Sequence, residues 1–209
     1  SESAGTNNEA RAAAAEQLKL IGDLQAELQK LQYTEAIGDS RVVDAQCRLF
    51  TAYYEDHQPE PANQLLRQML ESESAWSRLS VSNVSFALDN AGRIQLGRKD
   101  YANAESLFRE NLRIIEKTQP GLSPVFVAEA MLGGTLTKNG QYKQAETYLL
   151  HAYEGLKKRQ AEGRPSSSRA KTMAYVAQGL TELYELSGNT NKAAEWRPLG
   201  TPIKAVSSP

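Results

Sequence analysis

The chain has 209 residues, of which 40% are hydrophobic and 23% charged, with a formal net charge of −1. That length suffices for one ordinary domain or one elongated array with a sizeable core, while the near-neutral charge argues against a nucleic-acid surface, which would carry a basic excess. A single cysteine, Cys47, excludes an internal disulfide and a multi-cysteine zinc site, and no run reaches the ~18 apolar residues of a membrane span.

Residues 1–8, Ser-Glu-Ser-Ala-Gly-Thr-Asn-Asn, are small and polar and are expected to be disordered. There is no signal-peptide pattern, and Ser1 stands without an initiator methionine, as a processed start or the edge of an excised piece would. Strong helix formers occupy 9–35, including the run Ala12 to Ala15. Leu18, Ile21, Leu24, Leu28 and Leu31 recur at three- and four-residue steps, which predicts an amphipathic helix. It either caps the helices C-terminal to it or makes a coiled-coil contact, over too few heptads to decide for the latter.

Helices then alternate in pairs. The segment 41–55 carries Val43, Cys47, Phe50, Tyr53 and Tyr54, and His57-Gln-Pro-Glu-Pro61 interrupts it. Those prolines suit the first turn of a helix running to about Ser72. A second pair is predicted over 81–96 and 101–118, with Asp100 placed as N-cap. Pro120-Gly121 closes it, and Ser123-Pro124 has the form of an N-cap followed by a first-turn proline. The third pair covers 124–138 and 141–160. Gly163-Arg-Pro-Ser-Ser-Ser168 reads as an inserted loop before helices at 170–187 and 191–196. Pro198, Gly200 and Pro202 stop helical structure, so 198–209 is expected to be a loose tail. No stretch alternates as a strand does, and the class is all-α.

One block recurs in this pattern: Lys99-Asp-Tyr-Ala-Asn-Ala-Glu105, Gly140-Gln-Tyr-Lys-Gln-Ala-Glu146 and, more loosely, Gly188-Asn-Thr-Asn-Lys-Ala-Ala-Glu195. Tyr101 to Tyr142 is a step of 41, Ala145 to Ala193 a step of 48, and Ala62 to Ala104 a step of 42. A period of that size means stacked repeats, here an array over 39–197 with units at about 39–75, 81–119, 123–160 and 168–197. The inserted loop accounts for the longer last step. Small residues at Gly92, Gly133, Ala104 and Ala145 let antiparallel helices approach closely. Asn111 and Met69 stand where a second small residue is expected, which predicts slightly opened interfaces there. Glu105, Glu146 and Glu195 follow the repeat alanine and read as first-turn partners of the helix dipole rather than a catalytic set. Trp196 covers the last open apolar face.

These residues resemble the tetratricopeptide repeat. One unit supplies Gly92, Tyr101, Ala104 and Phe108; the next Leu132-Gly133, Tyr142, Ala145, Leu149 and Ala152; the last Leu180, Tyr184 and Ala193. A degenerate first unit keeps Leu49, Tyr53, Ala62 and Leu66. The step exceeds the usual ~34 of that repeat and is similar to the longer kinesin-light-chain type, as is Leu88-Asp-Asn-Ala91. Over 84–197 the chain looks closest to the repeat tails of planctomycete and acidobacterial serine/threonine protein kinases. The likeness rests on Leu132-Gly-Gly-Thr-Leu-Thr-Lys-Asn-Gly-Gln-Tyr142 and Lys192-Ala-Ala-Glu-Trp-Arg197. It carries no kinase motif, neither a Gly-rich loop nor His-Arg-Asp nor Asp-Phe-Gly. In that family the array often lies beyond a transmembrane segment, which implies a bacterial, extracytoplasmic setting.

The fold implied is an α-α superhelix of about four helix pairs whose first helices line a concave groove for an extended or helical peptide. Arg48, Thr51, Phe86, Asp89, Asn90, Arg93, Val127, Gln178 and Glu182 then face the groove. Asn90 leads, because Asn at that place in related repeats holds a ligand's backbone through its amide donor and acceptor. At the positions of the carboxylate clamp of chaperone-binding arrays stand Cys47, Thr51, Asn90, Val127 and Met131; only Asn90 fits, which argues against Hsp70- or Hsp90-type tails. The expected role is a non-enzymatic scaffold for a peptide or protein partner. The alternative is an accessory subunit held through the N-terminal helix or convex face, its groove empty or filled by its own Pro202 to Pro209. With no nucleophile–base pair, metal set or phosphate loop, no catalytic residue, metal or cofactor is expected. His57 and His151 stand too far apart in the repeat plan for a metal pair, Cys47 reads as a small buried hydrophobe, and Lys157-Lys158-Arg159 as helix-end cations.

Overall fold

A computed structural model describes residues 2–163 and 166–200, with side chains from Asn8 onward, and among these every regular element is helical. In chain order they are α1 (Glu2–Thr34), α2 (Ser40–Glu55), α3 (Pro59–Glu71), α4 (Arg78–Gly97), α5 (Tyr101–Thr118), α6 (Ser123–Lys138), α7 (Tyr142–Glu162), α8 (Ser167–Leu186) and α9 (Thr190–Trp196), with a 3₁₀ turn at Glu73–Ala75. The all-α helix-pair architecture is thus as the sequence predicts. Contacts divide the chain into two compact units, Ser1–Ile94 and Gln95–Pro209.

In the first unit α1 packs on α2 and α2 on α3. Its core takes Ile21, Leu24 and Leu28 from α1, Val43, Phe50 and Tyr54 from α2, and Ala62 and Met69 from α3. Two expectations for α1 change. Helix starts at Glu2 rather than Glu9, since extending a helix nucleated at Ala12 to Ala15 costs far less than starting one. Leu18 is 56% exposed; Gln17 takes its place on the packed face and donates to the Ala52 carbonyl at 3.2 Å.

In the second unit α5 packs on α6, α6 on α7 and α8, α7 on α8, and α8 on α9. Phe108, Leu132, Leu136, Leu149, Leu156, Leu180 and Leu183 form its centre. A Cβ at Gly133 would lie 2.7 Å from Leu149 Cγ, and one at Gly155 2.2 Å from Phe126 Cε1, so both are points of close helix approach. Trp196 packs against the same cluster, edge-on to Tyr153 with ring centroids 4.8 Å apart.

The repeat has a concrete backbone form. Within each pair the connecting turn holds one residue in the left-handed region: His57 (φ 59°), Lys99 (61°), Gly140 (76°) and Gly188 (80°). Its N–H donates three residues back, to Tyr54, Leu96, Thr137 and Glu185 respectively. The next N–H reaches five back, to Tyr53, Gln95, Leu136 and Tyr184. This is the Schellman arrangement that satisfies the last carbonyls of a helix. The repeat alanines Ala62, Ala104, Ala145 and Ala193 are each the fourth residue of the helix after that turn, and none is more than 1% exposed. Asp100 caps α5 as predicted, accepting from Asn103 N at 3.2 Å, and Asn189 caps α9 through Lys192 N at 3.2 Å.

Other expectations are corrected. The 48-residue step is no loop insertion: α7 and α8 have 21 and 20 residues where α5 and α6 have 18 and 16, the whole difference from the 41-residue step. Leu122, not Ser123, is the N-cap of α6, and Pro124 still sits in its first turn. Met69 and Asn111 are 1% and 4% exposed, so neither interface opens to water; the Asn111 Oδ1 atom is buried with no hydrogen-bond partner among the described residues. Glu105 and Glu146 are not first-turn residues. Glu105 accepts from Asn139 at 3.0 Å and Gln141 at 2.6 Å, in the turn of the next pair. Glu146 accepts from Tyr184 at 2.7 Å and Lys192 at 2.8 Å. These carboxylates bracket one pair to the next, and Glu195, one position out of that register, is exposed. The tail is not loose at its start: Pro198, Leu199 and Gly200 form a turn that closes back on α8. Residues 201–209, including Pro202 to Pro209, lie outside the described residues.

Candidate functional site

In the first unit, α1, α2 and α4 enclose an open groove of about 410 Å³. Asn83, Phe86, Ala87 and Asn90 line it from α4, and Asp44, Cys47, Arg48, Thr51 and Glu55 from α2. Both sets follow steps of three and four residues, the spacing that brings side chains onto one helix face. Leu20 and Leu24 of α1 supply the apolar wall. The sequence pattern offers α1 as a cap or a coiled-coil contact rather than as a groove wall; the hint of this wall is Leu20, four residues before Leu24 of the apolar stripe.

The groove combines an exposed aromatic with an available amide. Phe86 is 68% exposed, although a benzene ring of that size normally seeks burial. One turn on, Asn90 is half-buried, and its side chain makes no hydrogen bond among the described residues. The remaining polar groups are already engaged. Thr51 Oγ1 donates to the Cys47 carbonyl at 3.0 Å. Arg48 is held by Asp44 at 3.1 Å and by Glu27 at 2.5 Å, so its guanidinium ties α2 to α1. Its hydrogen bond holds the Glu27 carboxyl below the usual range, against a small opposing effect of burial. Burial, reinforced by the nearby Asp44 charge, pushes the Cys47 thiol up to about 12, the reverse of what a nucleophile needs. Asp89 and Arg93 pair along α4 at 2.7 Å and do not line the groove.

Gln178 and Glu182 belong to a different place, a cavity of about 350 Å³ in the second unit between α6 and α8. There Glu182 pairs with Lys138, and Gln178 Nε2 donates to the Gly200 carbonyl at 2.6 Å. Val127 lines neither cavity. The predicted set is therefore divided: Arg48, Thr51, Phe86 and Asn90 come together in one unit, Gln178 and Glu182 in the other.

Among the described residues no three His, Cys, Asp or Glu side chains converge as a metal site would require. None of the described helices is long and apolar enough to cross a membrane. His151 bonds through Nδ1 to both oxygens of the buried Glu129, at 2.7 and 2.8 Å. Burial raises the Glu129 carboxyl despite that partner.

No family model and no curated protein matches the sequence. Solved structures do match the fold. A crystal structure from Podosopora anserina, described as a kinesin light chain with nearly identical TPR-like repeats, superposes with a TM-score of 0.61 at 18% identity, covering 92% of this chain and 90% of that one. BtubC (BKLC) from P. vanneervenii superposes with a TM-score of 0.51 at 12% identity over 92% of this chain and 97% of its own. At such identities the likeness establishes the repeat fold.

Proposed function

We propose that this protein of tetratricopeptide-like repeat fold is a non-enzymatic interaction scaffold, and that the groove between α1, α2 and α4 receives an extended or helical segment of a protein partner. The observation that carries this reading is the pairing of exposed Phe86 with the unengaged amide of Asn90 on one face of α4. An aromatic surface contributes contact area at small entropic cost, and an Asn amide offers both a donor and an acceptor to a peptide backbone. Arg48 acts in this reading by holding the groove's walls together rather than by touching the partner.

Selection of a displayed peptide library on the intact chain supplies the probe. Phe86→Ala and Asn90→Ala are each expected to weaken the selected peptide at least tenfold, while Arg93→Glu, off the groove, leaves its Kd unchanged. Binding that survives both groove substitutions rules this groove out as the binding site. The accessory-subunit alternative draws on α1, where Ala12 to Ala15 and Leu18 are all exposed. Under that reading, removal of residues 1–16 abolishes assembly while peptide binding in the groove persists.

A further inference from the structure

A second cavity of the first unit, about 560 Å³, lies between the end of α1, α2 and the end of α3. Val42 and Gln46 of α2 line it, four residues apart and so on one helix face. Gln46 and Arg48 are separated by about 200° around the helix, so this cavity and the Phe86–Asn90 groove use different faces of α2. Gly38 (φ 86°), in the turn between α1 and α2, lies so close to the 3₁₀ turn that a Cβ would stand 2.6 Å from Ala75 Cβ. Contact and conformation both require glycine there, and they bring the two turns together at the cavity's edge, where Gly38 and Ser72 line it. Gln46 is only 6% exposed, yet its amide makes no hydrogen bond among the described residues; a buried amide normally has one. Gln32 of α1, Gln68 of α3 and the carboxylate of Glu71 line the same space, also without a partner among the described residues. Arg67, one turn before Glu71, forms no ion pair with it. Glu35 pairs with Arg41, and Ser72 Oγ donates to the Met69 carbonyl at 2.9 Å. No lysine or arginine among the described residues lines the cavity, while Ile37 lines it and is 82% exposed.

From these groups we infer that the cavity is a binding site for a guanidinium group, carried by a small molecule or by an arginine side chain. Carboxylates at Glu35 and Glu71 with no lining cation favour a positive ligand over an anion. Charge alone would admit an ammonium, but the donor pattern selects between them. A guanidinium presents five N–H donors in one plane; two fit a carboxylate such as Glu71 side by side, which leaves others for the Gln46 and Gln68 side-chain oxygens. It also gives up its water more readily than an ammonium, which matters at an amide as buried as that of Gln46. The alkyl stem behind it has an apolar surface to lie on in Ile37 and Val42. The site is separate from the groove of the proposed scaffold function, and substitutions that test one leave the other intact.

NMR titration of the 209-residue chain tests this with methylguanidinium, N-acetyl-arginine amide and N-acetyl-lysine amide as probes. The arginine amide is expected to bind with a Kd on the order of 1 mM, as suits a small group in an open site, and to shift the backbone amides of Gly38, Gln46 and Ser72. The lysine amide, of equal charge, binds about tenfold more weakly. Glu71→Gln and Gln46→Leu each weaken the arginine amide by about fivefold or more, and Phe86→Ala leaves it unchanged. Glu71 is exposed, so its variant keeps the test available if Gln46→Leu impairs folding. Methylguanidinium that binds as tightly as the arginine amide assigns the site to a small guanidine compound; weaker binding assigns it to an arginine side chain, whose stem then contributes. Equal binding of the lysine amide overturns the inference, because the cavity is then a non-selective cation surface. So does the absence of shifts at about 20 mM probe, or arginine-amide binding that both cavity substitutions leave unchanged.

Discussion

The two grooves differ at one repeat position. Nine residues before the left-handed turn residue, the first unit presents Arg48 and Asn90, and the second presents Met131 and Gly179. All four line their cavities. The polar pair divides its work, Arg48 locking α1 to α2 and Asn90 facing the groove unengaged. At the same position the second unit has a thioether and a bare backbone, a surface that a backbone can lie on but that offers it few hydrogen bonds. The repeat thus dictates where a groove forms, while a single register position decides whether its lining there is polar or apolar and bare.

Packing separates the units too, and here the largest effects are expected. Gly22, a helical glycine of the first unit, has nothing within 4 Å of where a Cβ would be, whereas Gly155 of the second has Phe126 at 2.2 Å. Gly155→Leu is expected to cost about 1–3 kcal/mol by overpacking, and Ala104→Leu or Ala145→Leu to cost the same for the same reason. Gly22→Ala is expected to gain up to about 1 kcal/mol in helix propensity. Urea denaturation checks both signs; a stabilising Gly155→Leu would show that α7 can withdraw from Phe126 freely.

Next come the pair turns. Gly140 takes its positive φ without a side-chain clash, but His57 in the first unit and Lys99 in the second hold the same conformation with a Cβ. That conformation costs about 1–2 kcal/mol for a residue with a side chain. Gly140→Ala is therefore expected to lose about that much. His57→Gly and Lys99→Gly should each gain about 0.5–1 kcal/mol once the extra unfolded-state entropy of glycine is subtracted. If both glycine variants instead lose stability in a urea titration, the side chains of His57 and Lys99 contribute contacts that outweigh the backbone strain.

Much of this frame was legible in the sequence because it is local. Alanine at the fourth helix position and the Asp100 cap of α5 both act within a few residues of themselves, so spacing alone reveals them. What escaped spacing acts across elements. Glu105 and Glu146 recur as a helix feature would, yet their partners lie in the next pair, some 34–46 residues away. Arg48 lines the cavity between α1, α2 and α4, and Glu27 of α1 engages it from 21 residues away, a contact that periodicity within α2 does not encode. Gln17 replaced Leu18 on the packed face of α1 because steps of three and four leave a stripe's edge open by one residue. Gly200 reads as a helix stop, and the glycine requirement, a Cβ there standing 2.7 Å from Gln178 Cγ, becomes visible only against α8.

The smallest predicted effect uses the inter-pair brackets. The fifth residue of the second helix is Asn63 in the first unit and Glu105 or Glu146 in the second. Asn63 accepts from Tyr54 OH at 2.8 Å and carries no charge to titrate. Hydrogen bonds from Lys192 and then Tyr184 hold the Glu146 carboxyl below the usual carboxylate range, against the opposing effect of burial. For Glu105, burial raises the carboxyl, but hydrogen bonds from Arg109, Asn139 and Gln141 together outweigh it and leave it lowered. A carboxyl with a lowered folded pKa contributes stability that is fully present above its unfolded pKa and is lost as pH falls through the folded one. Acidification from neutral pH should therefore loosen the Glu146 and Glu105 brackets and spare the Tyr54–Asn63 bond. Glu129 works in the opposite sense, since burial raises its carboxyl and protonation relieves a penalty. Its contribution is fully present below the unfolded pKa and is lost as pH rises through the raised one. Glu146→Gln keeps an acceptor for Tyr184 while removing the charge, so it should flatten the acid side of the stability profile by losing, at neutral pH, the part that the carboxylate contributes. Amide exchange resolves the outcome locally: protection at the α8–α9 turn falls with pH in the parent and not in the variant. An unchanged acid slope in Glu146→Gln would mean that the bracket holds equally well neutral, as Asn63 does.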